Sequence, residues 1–322
     1  MLQTTQPTTI DTAPVRDLQT VRPDFTALME EFLAYQDVAE SSKRTYKAKI
    51  KQFFLWLGDN PPESGQVEKK DILEYKEQLL SEGKAANTVT GYLIVVRKFF
   101  AWMAAEKGLK DPTTGIKGVK RSNSFRKDAL SVDQIKHLLN TIDRSTITGL
   151  RDFAMINLMI RTGLRTIELS RANEEDIRQE SGEAVLYIQG KGHFEKDAYV
   201  KLNASTLKPL MAYLRARGTV KGSDPLFISH SNRAINGRLT TRSIRHVTKQ
   251  HMGDADIYSS RITTHSLRHS AVTLVLLAGG SIQEAQTLAR HKSVDTTMIY
   301  AHNIDRIKNA PENKIDSLLG DG

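Results

Sequence analysis

The chain has 322 residues, 39% hydrophobic and 26% charged, with a formal net charge of +9 at neutral pH. That length suits two domains with separate cores, and the excess positive charge suits a polyanionic partner, nucleic acid first. The absence of cysteine excludes disulfides, thiolate zinc sites and cysteine nucleophiles and fits a reducing, cytoplasmic setting.

Residues 1–23 are rich in Thr, Gln and Pro, with neither an apolar run nor an Arg-rich amphipathic pattern, and read as a disordered tail rather than a targeting segment. Helical periodicity begins at Asp24, a candidate cap, and puts Phe25, Leu28, Met29, Phe32 and Leu33 on one face. A second helix is expected from Ser41 and Ser42, turning Tyr46, Ile50, Phe53, Phe54 and Leu57 inward and leaving Lys43, Lys47, Lys49 and Lys51 mostly outside. Two more are expected from Asp71 and Asn87, the last carrying Tyr92, Val96, Phe99, Phe100 and Met103. These four make a helical unit over 24–108.

Residues 109–128 hold Pro112, two glycines and a run of Lys and Arg with little apolar periodicity. They read as a basic linker suited to lie along phosphates. A second domain, 129–303, opens on Ser131 and Gln134 at capping-box spacing and is mostly helical. Its one interruption, residues 184–202, alternates apolar and polar residues around Gly190, Lys191 and Gly192, the pattern of a β-hairpin with a lysine at its tip. The fold class is therefore mainly α, with a small β-hairpin or sheet in the second domain. The most apolar stretch, 271–280, is far shorter than the roughly 20 residues of a membrane span and reads as a buried helix.

Four segments of the second domain carry chemistry. In "TGLRTIEL", Gly163 ends a helix, Arg165 starts the next and Glu168 lies one turn on. Lys191 sits between glycines that permit close backbone approach, but no glycine stands where a phosphate-binding P-loop needs it. In "THSLRHSAVTLVL", Thr263 or Thr264 can cap a helix that shows His265 and Arg268 on one face. His265 and His269 have the spacing of metal ligands, yet Ser266 replaces the glutamate of a zinc-protease helix and no third ligand is evident, so no metal is expected. Finally, "RHKSVDTTMIYAH" offers His291 and Tyr300, the latter a core aromatic by its immediate neighbours alone.

Together these residues suit attack on a phosphodiester. Two guanidiniums can bind the non-bridging oxygens, where negative charge grows in the transition state. A phenol can attack given a proton acceptor or strongly positive surroundings, and a mobile lysine can protonate the departing oxygen.

The segments "GLRTIEL", "GKGHF", "HSLRH", "LARHKS" and "MIYAH" resemble, in order and approximate spacing, the tyrosine recombinase (phage integrase) family, its Xer-like members most. The likeness covers the second domain almost end to end, and the first resembles the family's SAM-like core-binding domain. The resemblance implies that Tyr300 is the nucleophile, forming a 3′-phosphotyrosyl link, with Arg165 and Arg268 clamping the phosphate. It gives Lys191 the role of protonating the leaving 5′-oxygen, with Lys196 a local competitor. It has His265 take the tyrosine proton, His291 donate to the phosphate and Glu168 orient a neighbouring Arg or His. His269 is expected to pair with a backbone or phosphate oxygen, and His302 has no assigned role. No cofactor is implied.

The family further implies double-stranded DNA with inverted half-sites as partner and a homo-tetramer on DNA, or pairing with a related recombinase, through a Holliday junction. No membrane partner is expected. Residues 304–322, with Ile304, Ile307, Ile315, Leu318 and Leu319 around Pro311, are then expected to dock on a neighbouring protomer, the alternative being packing on their own domain. The short stretch before the first helix points away from an extra arm-binding domain and toward resolution of chromosome or plasmid dimers. A compact integrase of a mobile element is the alternative, and a type IB topoisomerase-like relaxing enzyme is the alternative of another class. A non-enzymatic DNA-binding regulator would not need the complete set of residues.

Overall fold

The computed structural model describes residues 25–120, 128–190, 192, 194–218, 221–231, 235–308, 315, 318 and 319. The chain divides into two compact units, 1–122 and 123–322. The tail, the middle of the basic linker, Lys191 and most of the chain after residue 308 lie outside the described residues.

The first unit is four helices: α1 (Phe25–Tyr35), α2 (Glu40–Asp59), α3 (Lys69–Ser81) and α4 (Ala86–Lys107). Its core is unusually aromatic. Phe32, Phe53, Trp56, Tyr75, Phe99 and Trp102 are buried, and edge-to-face pairs such as Phe54 on Phe99 at 5.1 Å fix the helix crossings. The helix starts differ from the expected ones. α2 begins at Glu40, where the Ala39 carbonyl accepts from the Ser42 amide, so the serines lie inside the first turn. In α3, Asp71 is not the cap but the third residue, and its carboxylate accepts from the Glu68 amide at 2.6 Å.

The stretch expected to be a free linker is partly folded onto this unit. Ile116 is buried in the aromatic core with Val119 packed against it, and Thr90 Oγ1 accepts from the Val119 amide at 3.2 Å. Lys76 and Arg97 donate to the carbonyls of Lys117 and Ile116.

The second unit contains α5 (Val132–Thr141), α6 (Ile147–Thr162), α7 (Thr166–Arg171), β1 (Ile177–Glu180), β2 (Glu183–Ile188), β3 (Ala198–Lys201), α8 (Ala204–Arg217), α9 (Thr241–Asp254), α10 (Thr264–Leu277), α11 (Ile282–Ala289) and α12 (Asp295–Lys308). Helix α6 is apolar on nearly every side, with Ala154, Met155, Ile156, Leu158, Met159 and Ile160 all buried, and it forms the axis of the core. It ends at Gly163, whose φ of 62° lets the chain turn sharply into Leu164 and Arg165.

The three strands form an antiparallel sheet in the order β1-β2-β3, with Leu186 opposite both Ile177 and Val200. The hairpin is wider than a tight turn at 190–192 would give. Ile188 pairs with Ala198, so the paired strands stop short of 190–192 on both sides, and Phe194 is fully exposed. Helix α12 runs through the 303/304 boundary to Lys308.

Candidate active site

The turn after α6 places Arg165 as the cap residue of α7, and the helix geometry brings Glu168 back beneath it. The buried Glu168 carboxylate accepts the Arg165 amide at 2.8 Å, Arg165 Nη1 at 2.7 Å and Arg290 Nη2 at 2.9 Å. Burial would raise this carboxyl's pKa, but the charge of Arg290 and the hydrogen bonds from Arg165 outweigh it and hold the group below the usual carboxylate range. Glu168 is thus ionised, and one carboxylate orients two guanidiniums.

Arg268, in the first turns of α10, is 2% exposed. Its Nη1 donates to the Gly163 carbonyl at 2.6 Å and its Nη2 to the Ala289 carbonyl. Burial and the neighbouring Arg165 and Arg290 press its pKa downward. Three guanidiniums thus lie close together while the one buried carboxylate, Glu168, directly bonds only two of them, Arg165 and Arg290, leaving an excess of positive charge in a partly dry site. Such a site favours an anion with oxygen acceptors.

Arg290 is held by its backbone as well as its side chain. It closes α11 with φ 52°, a left-handed conformation that favours glycine, and its Nη atoms reach the Leu288 carbonyl at 2.8 Å and the Gly163 carbonyl at 3.3 Å. Its own carbonyl accepts from Arg165 Nη2 at 3.5 Å. Arg290 lies within the "LARHKS" segment, where its type and spacing alone assign it no role.

The next residue, His291, shares Nδ1 with Thr297 Oγ1 at 2.9 Å, and its carbonyl accepts from Gln286. Burial, then Arg268 and Arg165, lower its pKa to about 4, so it is neutral at pH 7. With Nδ1 engaged by Thr297, its Nε2 side is the one free to turn toward a substrate.

Tyr300, in the second turn of α12, is buried against Val272, Ala285 and Ala289. Its ring lies 6.2 Å from that of His291 and 5.3 Å from that of His269, and its hydroxyl is hydrogen-bonded to His269 Nδ1. Burial pushes the phenol up to about 12, opposed by Arg268. His269 was expected to pair with a backbone or phosphate oxygen; it pairs with the Tyr300 hydroxyl because position 269 is one turn beyond His265, on the side of α10 that α12 covers. His265 opens to solvent and contacts His269 edge-to-face at 4.7 Å.

Lys191 lies outside the described residues, but both ends of its loop are placed. Gly190 accepts from Arg171 Nη1 at 3.0 Å and, with Ala198, walls a cleft of about 620 Å³ that Arg165, Arg290, His291 and Lys292 also line. Lys196, the competitor, is committed elsewhere: its ammonium donates to both oxygens of the buried Asp176, at 2.8 and 2.6 Å. No group of three or more metal-ligating side chains occurs among the described residues.

A cationic pocket beside a buried phenol in contact with two imidazoles is chemically suited to a phosphodiester. Residues 128–306 match the phage integrase family, and residues 28–107 match its N-terminal SAM-like domain. The chain belongs to the phage integrase family, the tyrosine recombinases, enzymes that cleave and rejoin DNA through phosphotyrosine.

Its relatives are of the Xer type. The tyrosine recombinase XerD of Listeria monocytogenes serotype 4b is 26% identical over 287 residues, covering 85% of this chain and 93% of the relative. The tyrosine recombinase XerC of Thermodesulfovibrio yellowstonii is 27% identical over 263 residues, covering 80% and 84%. Among solved structures, the XerH site-specific recombinase bound to palindromic difH substrate, a post-cleavage complex, superposes with a TM-score of 0.71 at 20% identity, covering 89% of this chain and 85% of that one. A lambda integrase tetramer bound to a Holliday junction gives a TM-score of 0.66 at 18% identity, with 86% and 76% covered. No described helix is long and apolar enough to cross a membrane.

Proposed function

We propose that this recombinase acts on a short duplex site with inverted half-sites, as four protomers that exchange strands through a Holliday junction, and that it resolves chromosome or plasmid dimers. The observation that supports this reading best is the cationic pocket of Arg165, Arg268 and Arg290 around Glu168, beside the Tyr300 hydroxyl. Arg165 and Arg268 hold the non-bridging oxygens of the scissile phosphate, and Tyr300 Oη attacks phosphorus as the bond to the 5′-oxygen breaks. His291 Nε2 donates to the phosphate, and His265, exposed on α10, faces the incoming strand. Lys191, between the paired residues Ile188 and Ala198 in the chain, gives the 5′-oxygen its proton. The bond energy stays in the phosphotyrosine, so strand rejoining runs the same steps in reverse.

The test uses a site selected from a randomised duplex library by retention on the protein, then nicked so that the cleaved end diffuses away. Wild type should accumulate a covalent adduct that mass spectrometry maps to Tyr300, and Tyr300→Phe should bind the site and form none. An adduct in Tyr300→Phe would overturn the nucleophile. Relaxation of supercoiled DNA lacking the selected site, by protein that stays monomeric, would instead favour the topoisomerase-like reading.

A further inference from the structure

The contact between α10 and α12 puts two histidines near the nucleophile, and they are not equivalent. His269 Nδ1 is bonded to the Tyr300 hydroxyl, with the two rings 5.3 Å apart and tilted by 34°. His265 stands behind His269, ring to ring at 4.7 Å, and opens to solvent. His291 lies nearly parallel to the phenol but has its Nδ1 engaged by Thr297.

We infer that His269, rather than His265, is the base that takes the Tyr300 proton as the hydroxyl attacks the phosphate. This rests on the reading of Tyr300 as nucleophile. In the step, the Oη–H proton passes to His269 Nδ1, the Oη–P bond forms, the P–O5′ bond breaks, and the 5′-oxygen takes its proton from the general acid, Lys191. In the reverse step the 5′-hydroxyl returns that proton to the lysine, and imidazolium His269 reprotonates the departing phenol.

The charged surroundings suit this role and give it a trigger. His269 faces His265 and Arg268 on its own helix, His291 from the turn before α12 and Tyr300 on α12. Burial and the charges of His265, Arg268 and His291 hold its pKa near 4, so without DNA it is neutral and its Nδ1 lone pair accepts the phenol's hydrogen. The phenol is held near 12. With the two so far apart, the proton stays on Tyr300 at rest. A bound phosphodiester brings negative charge that offsets Arg268, raises His269 and lowers the cost of transfer, so the nucleophile is activated when the scissile phosphate is in place.

The deciding variant is His269→Asn, whose Oδ1 can hold the hydroxyl but cannot take its proton. Adduct formation on the nicked selected site is measured for wild type, His269→Asn and His265→Asn, each with Tyr300 as it stands and with Tyr300 replaced by a fluorinated tyrosine whose phenol ionises nearer neutral pH. Melting and site binding verify that each variant folds. His269→Asn should slow adduct formation by about 10²–10⁴-fold. The fluorinated phenol should restore most of that loss, with a rate that rises with pH as the phenol ionises, a rescue that lost packing would not show. His265→Asn should show no such rescue. An asparagine variant at 269 within a few-fold of wild type, or rescue confined to His265→Asn, overturns the inference while leaving Tyr300 as nucleophile. If wild type forms no adduct at Tyr300, the recombinase reading fails and this inference falls with it.

Discussion

Replacing Glu168 with Gln tests whether the pocket is built around one buried charge. Glu168 is 1% exposed and accepts from the Arg165 amide, Arg165 Nη1 and Arg290 Nη2. Glutamine keeps the shape and one acceptor but turns an amide NH₂ toward a guanidinium and leaves the side chains of Arg165 and Arg290 uncompensated. Breaking a buried pair by removing one partner costs about 3–5 kcal/mol, and the lower end applies because Arg165 is partly open to solvent. For a unit of this size each kcal/mol is worth about 2–4 °C, so melting should fall by roughly 6–12 °C. The pH dependence has a definite sign. Because the folded carboxyl sits below its unfolded value, its contribution is complete above the unfolded pKa of about 4.3 and is lost as pH falls through the folded value. The gap in melting temperature between wild type and Glu168→Gln should therefore be flat from about pH 5 to 8 and should close below about pH 4. Calorimetry across that range decides it: a gap worth less than about 1 kcal/mol, or one that persists undiminished into acid, would refute the argument.

Arg290→Gly relieves a left-handed backbone, worth about 1–2 kcal/mol, but removes one of the two guanidiniums that pair with buried Glu168; net destabilisation by denaturant titration is expected, and a stabilised variant would show that the Arg290 ion pair contributes less than the backbone strain. Lys196→Met should destabilise by about 3 kcal/mol because Asp176 loses its buried partner, and sulfur in place of the 5′-oxygen should not restore its cleavage rate, whereas the same substrate should restore Lys191→Ala. Arg268→Lys should lose most cleavage in the adduct assay, since a point charge cannot reach a phosphate while also donating to the carbonyls of Gly163 and Ala289. Deleting 309–322, which spares all of α12, should leave half-site binding steeply salt-dependent but abolish pairing of two sites in gel shifts; a truncated protein that melts earlier as a free monomer would place that segment on its own domain.

The parts of this molecule that were legible in the sequence are those where chemistry restricts residue type. A phosphate clamp calls for arginine and a covalent nucleophile for a hydroxyl, so Arg165, Arg268 and Tyr300 could be marked at their spacing. The apolar face of α2 likewise announces itself by periodicity. Strand β1 does not, because Ile177, Arg178, Gln179 and Glu180 carry no apolar alternation and are recruited by pairing with β2. Residues 111–119 failed for a similar reason: their polarity reads as linker, and what folds them is Ile116 entering an aromatic core together with Lys76 and Arg97 reaching carbonyls from distant positions.

The same division runs through the site. Arg268 is aimed by two carbonyls, at Gly163 and Ala289, and a carbonyl has no sequence signature at all. Arg290 is aimed by Glu168 from 122 positions away and sits where the backbone would favour glycine, so nothing in its local sequence marks its place in the site. His265 and His269 show the limit most clearly. Both lie in one motif four residues apart, both carry the chemistry of a base, and only the packing of α12 across α10 decides which one meets the Tyr300 hydroxyl. Residue type selects the candidates for a reaction, while the order in which helices pack assigns the proton, and that assignment is a long-range property that a motif cannot carry.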